Sequence, residues 1–339
     1  MAAIEARLEM REAKAGLAAL TVLIALAAAL LVIQSHRRPP IAPYAVLGLA
    51  HLQGGGQIRV RFAGVTTLLF DDGETAFMTD GFFSRPGLTS VLFSRIAPDE
   101  RAIDAGLASL GIRRLAAVVT MHAHYDHAMD APLVARKTGA LLVGDESTMN
   151  LGRGAGLAAG SMRKVSAGDT IELGQWRMTF IASRHAPTPF SDGMPGERID
   201  APLTPPARAT AWREGETWSL LVEHRSGRSY LVQGSAGFIK GALSGRKADV
   251  VFLGVGAVGK QTPDYRARLW AEVPKAVGAK RVIPVHWDDF WQALDHPLQA
   301  MPYLADDFAA TMDDLARLAA ANGVDLRLPP LFAPFDPSP

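Results

Sequence analysis

Thr120-Met121-His122-Ala123-His124-Tyr125-Asp126-His127 sets three imidazoles and one carboxylate within its last six residues. It follows residues 115–120 (LAAVVT), a short apolar run that reads as a buried strand. The loop beyond a strand end is where polar side chains converge without entering the core. Imidazole nitrogen and carboxylate oxygen suit zinc, iron or manganese. The chain has no cysteine, so thiolate metal sites, disulfides and thiol nucleophiles are excluded.

On the N-terminal side, residues 58–62 (IRVRF) alternate as a half-buried strand should, and 65–70 and 75–79 follow around the turn Asp71-Asp72-Gly73. The pattern predicts helices over 99–110, stopped by Gly111, and over 131–138, stopped by Gly139. Further strands are expected at 141–143, 176–181, 219–223, 230–233, 250–253 and 282–285. Residues 186–208 carry six prolines and read as a long loop. An amphipathic helix is expected over 306–321, with Phe308, Met312, Leu315 and Leu318 on one face. This order predicts an α/β chain of two packed β-sheets with helices outside.

Residues 16–33 (GLAALTVLIALAAALLVI) hold 18 uncharged residues. At ~1.5 Å per residue they span ~27 Å, close to a bilayer core of ~30 Å. A membrane anchor is the first reading, with a cleaved signal peptide and a partner-packing helix as alternatives. Arg7, Arg11 and Lys14 precede the span and Arg37 and Arg38 follow it. That excess places the N-terminus inside and the rest in an extracytoplasmic or periplasmic space. Pro39, Pro40 and Pro43 predict a stiff connector, and Gly54-Gly55-Gly56 a hinge. The expected partition is 1–38 hydrophobic helix, 39–56 linker and 57–339 catalytic domain. With 35 Lys+Arg against 34 Asp+Glu, nothing favours nucleic acid as a partner.

His122-Ala123-His124-Tyr125-Asp126-His127 resembles the His-x-His-x-Asp-His signature of the metallo-β-lactamase superfamily, and the likeness runs from about residue 58 to about residue 328. It implies an αββα sandwich of two mixed β-sheets flanked by helices. Asp80 (Thr79-Asp80-Gly81), His185 (Arg184-His185) and His286 (Val285-His286) stand at expected strand ends, in the family's order. The resemblance implies one metal held by His122, His124 and His185, a second held by Asp126, His127 and His286, and Asp80 supporting the ligands. In Gln233-Gly234-Ser235-Ala236-Gly237, Ser235 stands where the family usually has a metal-bridging Asp. One negative charge fewer weakens a two-metal site, unless Asp288 or Asp289 fills in.

Three neutral imidazoles leave a fourth tetrahedral position for water, whose pKa a bound Zn2+ lowers to about 7. Asp126 is the candidate catalytic residue, accepting or orienting that proton. Tyr125, Trp287 and His296 are candidate substrate contacts, and Phe82, Phe83, Phe290 and Trp291 candidate parts of an apolar wall. His224 is expected to face solvent. Gly254-x-Gly256-x-x-Gly259 meets Pro263 too soon to open a dinucleotide-binding helix, and reads as a strand-end loop facing the site. The expected activity is a metal-bound hydroxide attacking an ester, lactone or phosphodiester-type bond in a small-molecule or lipid-like substrate. Zn2+ is the expected ion, one or two per chain, with Fe or Mn as alternatives. A mononuclear iron oxidoreductase and a degenerate, non-catalytic membrane-bound binding protein are the competing readings.

Overall fold

A computed structural model describes residues 1–52, 58–112, 114–188 and 196–339. The expected hinge Gly54-Gly55-Gly56 and the middle of the proline-rich loop lie outside the described residues. The first sheet has six strands in sequence order: β1 (Arg59–Phe62), β2 (Leu68–Asp71), β3 (Ala76–Thr79), β4 (Ala117–Val119), β5 (Leu141–Gly144) and β6 (Met162–Lys164). The second has seven: β7 (Thr170–Leu173), β8 (Trp176–Ala182), β9 (Trp218–His224), β10 (Ser229–Gln233), β11 (Val250–Gly254), β12 (Arg281–Val285) and β13 (Asp325–Leu326). Each sheet begins antiparallel and continues parallel, from β3 to β6 in one and from β10 to β13 in the other. Both are therefore mixed, as expected.

The helices are α1 (Ala2–His36), α2 (Leu88–Phe93), α3 (Glu100–Ser109), α4 (Tyr125–Ala128), α5 (Ala131–Thr138), α6 (Glu146–Gly154), α7 (Pro263–Glu272) and α8 (Phe308–Asn322). Strand pleating explains the layers, because successive side chains point to opposite faces. In β2, Leu68 and Phe70 enter the core between the sheets while Leu69 meets α3 and α5. In β11, Val250 and Phe252 enter that same core while Val251 and Leu253 meet α7 and α8. A strand buried on both faces reads as a continuous apolar run, which is why these stretches lack alternation. At the centre Phe70 stacks on Phe77 at 4.9 Å and takes Trp176, Tyr230 and Phe252 edge-on at 5.5–6.0 Å. Its full burial contributes about 1.5–3 kcal/mol.

The segment after α1 is fastened to the domain. Tyr303 donates its N–H to the Arg37 carbonyl at 2.9 Å, and Arg38 pairs with Asp289 at 2.7 Å. Ile41, Tyr44 and Leu47 pack on the core beneath α8, with the Tyr44 ring edge-on to Phe308 at 5.4 Å. Within α1 the window Lys14–Gln34 is long and apolar enough to cross a membrane, with mean hydropathy 2.8 and none of it buried.

Candidate metal centre

The site gathers at strand carboxyl ends: β3, β4 and β12 have parallel neighbours, where α/β sheets place their ligands, and β8 lies in the antiparallel half of its sheet. Asp80 follows β3 in the left-handed region (φ 55°). Its Oδ1 accepts from the Met121 N–H at 2.8 Å, and its Oδ2 from His127 Nδ1 at 2.7 Å and from the Thr66 hydroxyl. A carboxylate on Nδ1 fixes the ring and leaves Nε2 as the free lone pair. His122 and His124 come from the loop after β4, and the single turn of α4 carries Asp126 and His127. His185 arrives three residues past the end of β8. His286 directly follows β12 at φ 60°, its N–H donating to the Val65 carbonyl at 2.8 Å.

Two clusters result. His122, His124 and His185 form one; Asp126, His127 and His286 form the other. In each, one nitrogen or carboxylate oxygen per residue lies within 4.8 Å of the others. His127 Nε2 and His286 Nε2 are 3.1 Å apart, and Asp126 Oδ2 lies 3.5 and 3.4 Å from them. The rings of His122 and His127 join the clusters at 3.8 Å between centroids. Both nitrogens of His122 are buried with no hydrogen-bond partner among the described residues, as is Nδ1 of His286. Buried polar atoms without partners are costly and rare. A divalent cation would take one nitrogen of His122, so this donor set fits a metal.

Electrostatics prepare the same donors. Burial, then neighbouring imidazoles, hold His122 well below its ordinary range. Burial and His185 depress His124 to about 3, and burial depresses His185 to about 4. All three are neutral near neutral pH, as metal ligands must be. Burial also disfavours charge on His127, but Asp80 and Asp126 outweigh it and raise its pKa. Burial would raise Asp126, yet His127 and His286 prevail and hold it well below the carboxylate range.

A pH dependence follows for the metal-free protein. Unfolded imidazoles gain protons as pH falls through about 6.5, whereas folded His124 and His185 wait until about 3 and about 4. The unfolded chain therefore binds more protons in that window. Stability is expected to fall by up to about 1.4 kcal/mol per pH unit for each such group. His127 acts in a different window, its contribution full below 6.5 and lost only as pH rises through its raised folded value, so it adds no slope below 6.5. Thermal midpoints of the chelated protein should drop between pH 6.5 and about pH 4. A level profile would refute the neutral triad.

Asp288 and Asp289, one of the open ways to replace the missing carboxylate, are both engaged by other protein groups. Asp288 accepts from the Val65 N–H at 2.8 Å and pairs with Arg85 at 2.6 Å, both side chains fully buried. Since Val65 also receives His286, this pair is a strut behind that histidine. Asp288→Ala leaves the Arg85 guanidinium buried and unpaired, and is expected to cost about 3–5 kcal/mol. Urea unfolding measures this; an unchanged midpoint would show that the strut carries nothing. Asp289 is held by Arg38.

Ser235 is buried after β10, its Oγ accepting from the Ala186 N–H at 3.0 Å beside His185. Trp287 is corrected from substrate contact to core residue, since its ring packs on Phe308 at 5.1 Å beneath α8. His296 lies at the surface, its side chain 74% exposed beside Asp295. Phe83 belongs to the core under α3. The aromatic wall is instead Phe290, edge-on to His286 at 5.5 Å, with Tyr125, whose hydroxyl accepts from Trp291 Nε1 at 3.0 Å. Phe82 closes it from behind Tyr125. His224 does not face solvent; it packs on Trp176 at 4.6 Å and reaches Asp72 at 3.3 Å. The glycine loop does face the site, because a Cβ on Gly256 would stand 3.1 Å from His286 Nδ1.

Sequence reasoning missed Thr66, Arg85 and Glu214. Glu214 takes the Ala123 N–H on its carbonyl at 2.8 Å and the Thr217 hydroxyl on its carboxylate at 2.8 Å. No spacing signal marks any of the three; each acts through contacts made only on folding.

Residues 92–287 match the model of the beta-lactamase superfamily domain. A metal-dependent hydrolase of Chloroflexus aurantiacus is 26% identical over 179 residues, 52% of this chain and 65% of that protein, so the chain spans under two thirds of that relative. Among solved structures, a metallo hydrolase of Ignicoccus hospitalis superposes with TM-score 0.50 at 13% identity, over 83% of this chain and 96% of that one. An isothiocyanate hydrolase from Delia radicum gut bacteria gives 0.51 at 14% identity, over 83% and 100%. At these identities the structures speak to the fold alone. Two mixed sheets between helices, histidine clusters at their strand ends and a family match over more than half its length lead to one conclusion: the chain belongs to the metallo-β-lactamase superfamily.

Proposed function

We propose that the protein is a metal-dependent hydrolase that cleaves an ester, lactone or phosphodiester in a small-molecule or lipid-like substrate. The observation that carries this reading is the pair of facing clusters, with both His122 nitrogens buried and unpartnered among the described residues. His122, His124 and His185 would hold one ion, and Asp126, His127 and His286 a second, zinc being the ion the histidine-rich set suits best. Such an ion supplies Lewis acidity and brings the pKa of a coordinated water to about 7.

The chain's own groups do the rest. Asp126, ionised and 3.4–3.5 Å from two imidazoles, holds or accepts a proton at Oδ2. Asp80 keeps His127 in one tautomer. Phe290, Tyr125 and Trp291 shield one side of the centre from water and offer an apolar surface to the substrate. We read α1 as a membrane anchor, with residues 57–339 as the catalytic domain outside the cytoplasm and no nucleic-acid partner. The uncharged window in α1 and the balanced charge support this.

The test is elemental analysis of the purified full chain, followed by ester, lactone and phosphodiester substrates before and after chelation. Bound metal is expected, with turnover lost on chelation and restored by zinc. A reconstituted protein that binds no ion, or turnover indifferent to chelation, would end the reading.

A further inference from the structure

Among the described residues beyond position 36, the exposed large apolar side chains are Val46, Leu92, Phe93 and Leu304. Val46 lies on the segment leaving α1. Leu304 adjoins Tyr303, whose N–H holds the Arg37 carbonyl one residue past the end of α1. Leu92 and Phe93 belong to α2, which begins three residues after Arg85. Arg85 donates to the Asp289 carbonyl at 3.4 Å, while Arg38 pairs with the Asp289 carboxylate at 2.7 Å. Asp289 thus links the exit of α1 to the residue that precedes α2, and Tyr303 links that exit to Leu304.

α2 also presents apolar side chains outward, while its Leu88 and Val91 are half-buried. It has six residues, none of them buried, with Phe93 74% and Leu92 54% exposed. A helix that short does not persist in water without packing; isolated helices need roughly 12–15 residues. Exposed Arg37 and Arg95 flank these apolar positions, a pattern suited to anionic headgroups.

We propose that Leu92, Phe93 and Leu304 form a lipid-facing rim around the exit of α1, so that the catalytic domain rests on the bilayer with α2 in the interfacial layer. This rests on the reading of α1 as an anchor, which brings a lipid surface to that end of the domain. Phe290 and Trp291 of the aromatic wall directly follow Asp289, so the rim sets the wall of the metal centre beside the membrane. An amphiphile could then reach the centre from the bilayer.

The chain's lack of cysteine makes the test direct. Single variants Leu23→Cys, Leu92→Cys, Phe93→Cys, Leu304→Cys and Lys247→Cys of the full chain are spin-labelled in phosphatidylethanolamine–phosphatidylglycerol vesicles. Accessibility to oxygen and to a water-soluble nickel chelate is then compared. Lys247 is exposed just before β11, at the end of that strand opposite the metal centre. Labels at 23, 92, 93 and 304 should favour oxygen, and the label at 247 the nickel chelate. Labels at 92, 93 and 304 in water while 23 lies in lipid would overturn the rim and leave the anchor standing. A label at 23 in water would overturn the anchor, and the rim with it. Dipolar broadening between labels at 93 would show a second copy covering α2, and would also overturn the rim.

Discussion

His122→Ala is expected to lower turnover by ~10³-fold or more while leaving the metal-free fold nearly as stable as before. A metal stabilises developing charge by several kcal/mol, and each 1.36 kcal/mol is tenfold in rate. Losing about 4 kcal/mol therefore costs about three orders of magnitude. The fold is spared because neither nitrogen of His122 bonds to protein among the described residues. Its removal breaks no hydrogen bond and relieves the burial of two unsatisfied polar atoms, which offsets much of the cavity left behind. The measurements are metal per chain, turnover, and thermal midpoint with and without zinc. The parent should gain stability with zinc, about 4 kcal/mol at a thousand times its Kd, and the variant should lose that gain. A variant that keeps its metal and its rate would remove His122 from the centre. His296→Ala is the control, since that side chain lies at the surface.

Much of this was readable before folding because the signals are local. The run from His122 to His127 is contiguous, and buried strands such as β4 and β11 announce themselves as apolar runs. Helix ends were readable where a glycine closes them, as at Gly139 after α5 and Gly323 after α8, both left-handed. Several short elements escaped, α6, α7 and β7 among them. α6 carries glycine and asparagine, poor helix formers, and depends on the Asp145 side chain capping the Thr148 N–H. α7 spaces its buried Leu269 and Trp270 among charges, too sparsely to signal a face. β7 is a short edge strand that exists through pairing with β8. The start of α8 was misplaced because Asp306 turns its carboxylate to the N–H groups of Ala257 and Gly259, leaving Asp307 as the cap.

The site divided along the same line. Residues that would touch a metal are chemically conspicuous, whereas those that hold them are not. Aromatic density after His286 was visible, but not which rings face the centre. β12 ends at Val285 and His286 turns left-handed. After that turn Trp287 enters the core and Phe290 faces His286. Proximity in sequence could not separate them.

Asp80→Asn is the complementary experiment, expected to weaken metal binding by ~10–100-fold and to destabilise the protein as well. The Asp80 carboxylate receives the Met121 N–H, His127 Nδ1 and the Thr66 hydroxyl. An amide has one oxygen and a donating NH2 group, so at least one buried donor meets another donor, at about 1–3 kcal/mol. The fixed tautomer of His127 is lost with the charge. Asp80→Ala should be worse, by about 3–5 kcal/mol, since the Met121 N–H loses its acceptor and Thr66 and His127 Nδ1 keep only each other, at 3.0 Å. Alanine also tolerates the left-handed backbone at φ 55° less well than asparagine or aspartate. Zinc titration and urea midpoints separate the effects. If Asp80→Asn binds zinc like the parent, the carboxylate is not what poises His127. The contrast with His122 is the point of the pair: a residue whose nitrogens bond to no described protein group can be removed at the cost of metal alone, but one whose oxygens are all taken by the protein cannot be removed without loosening both.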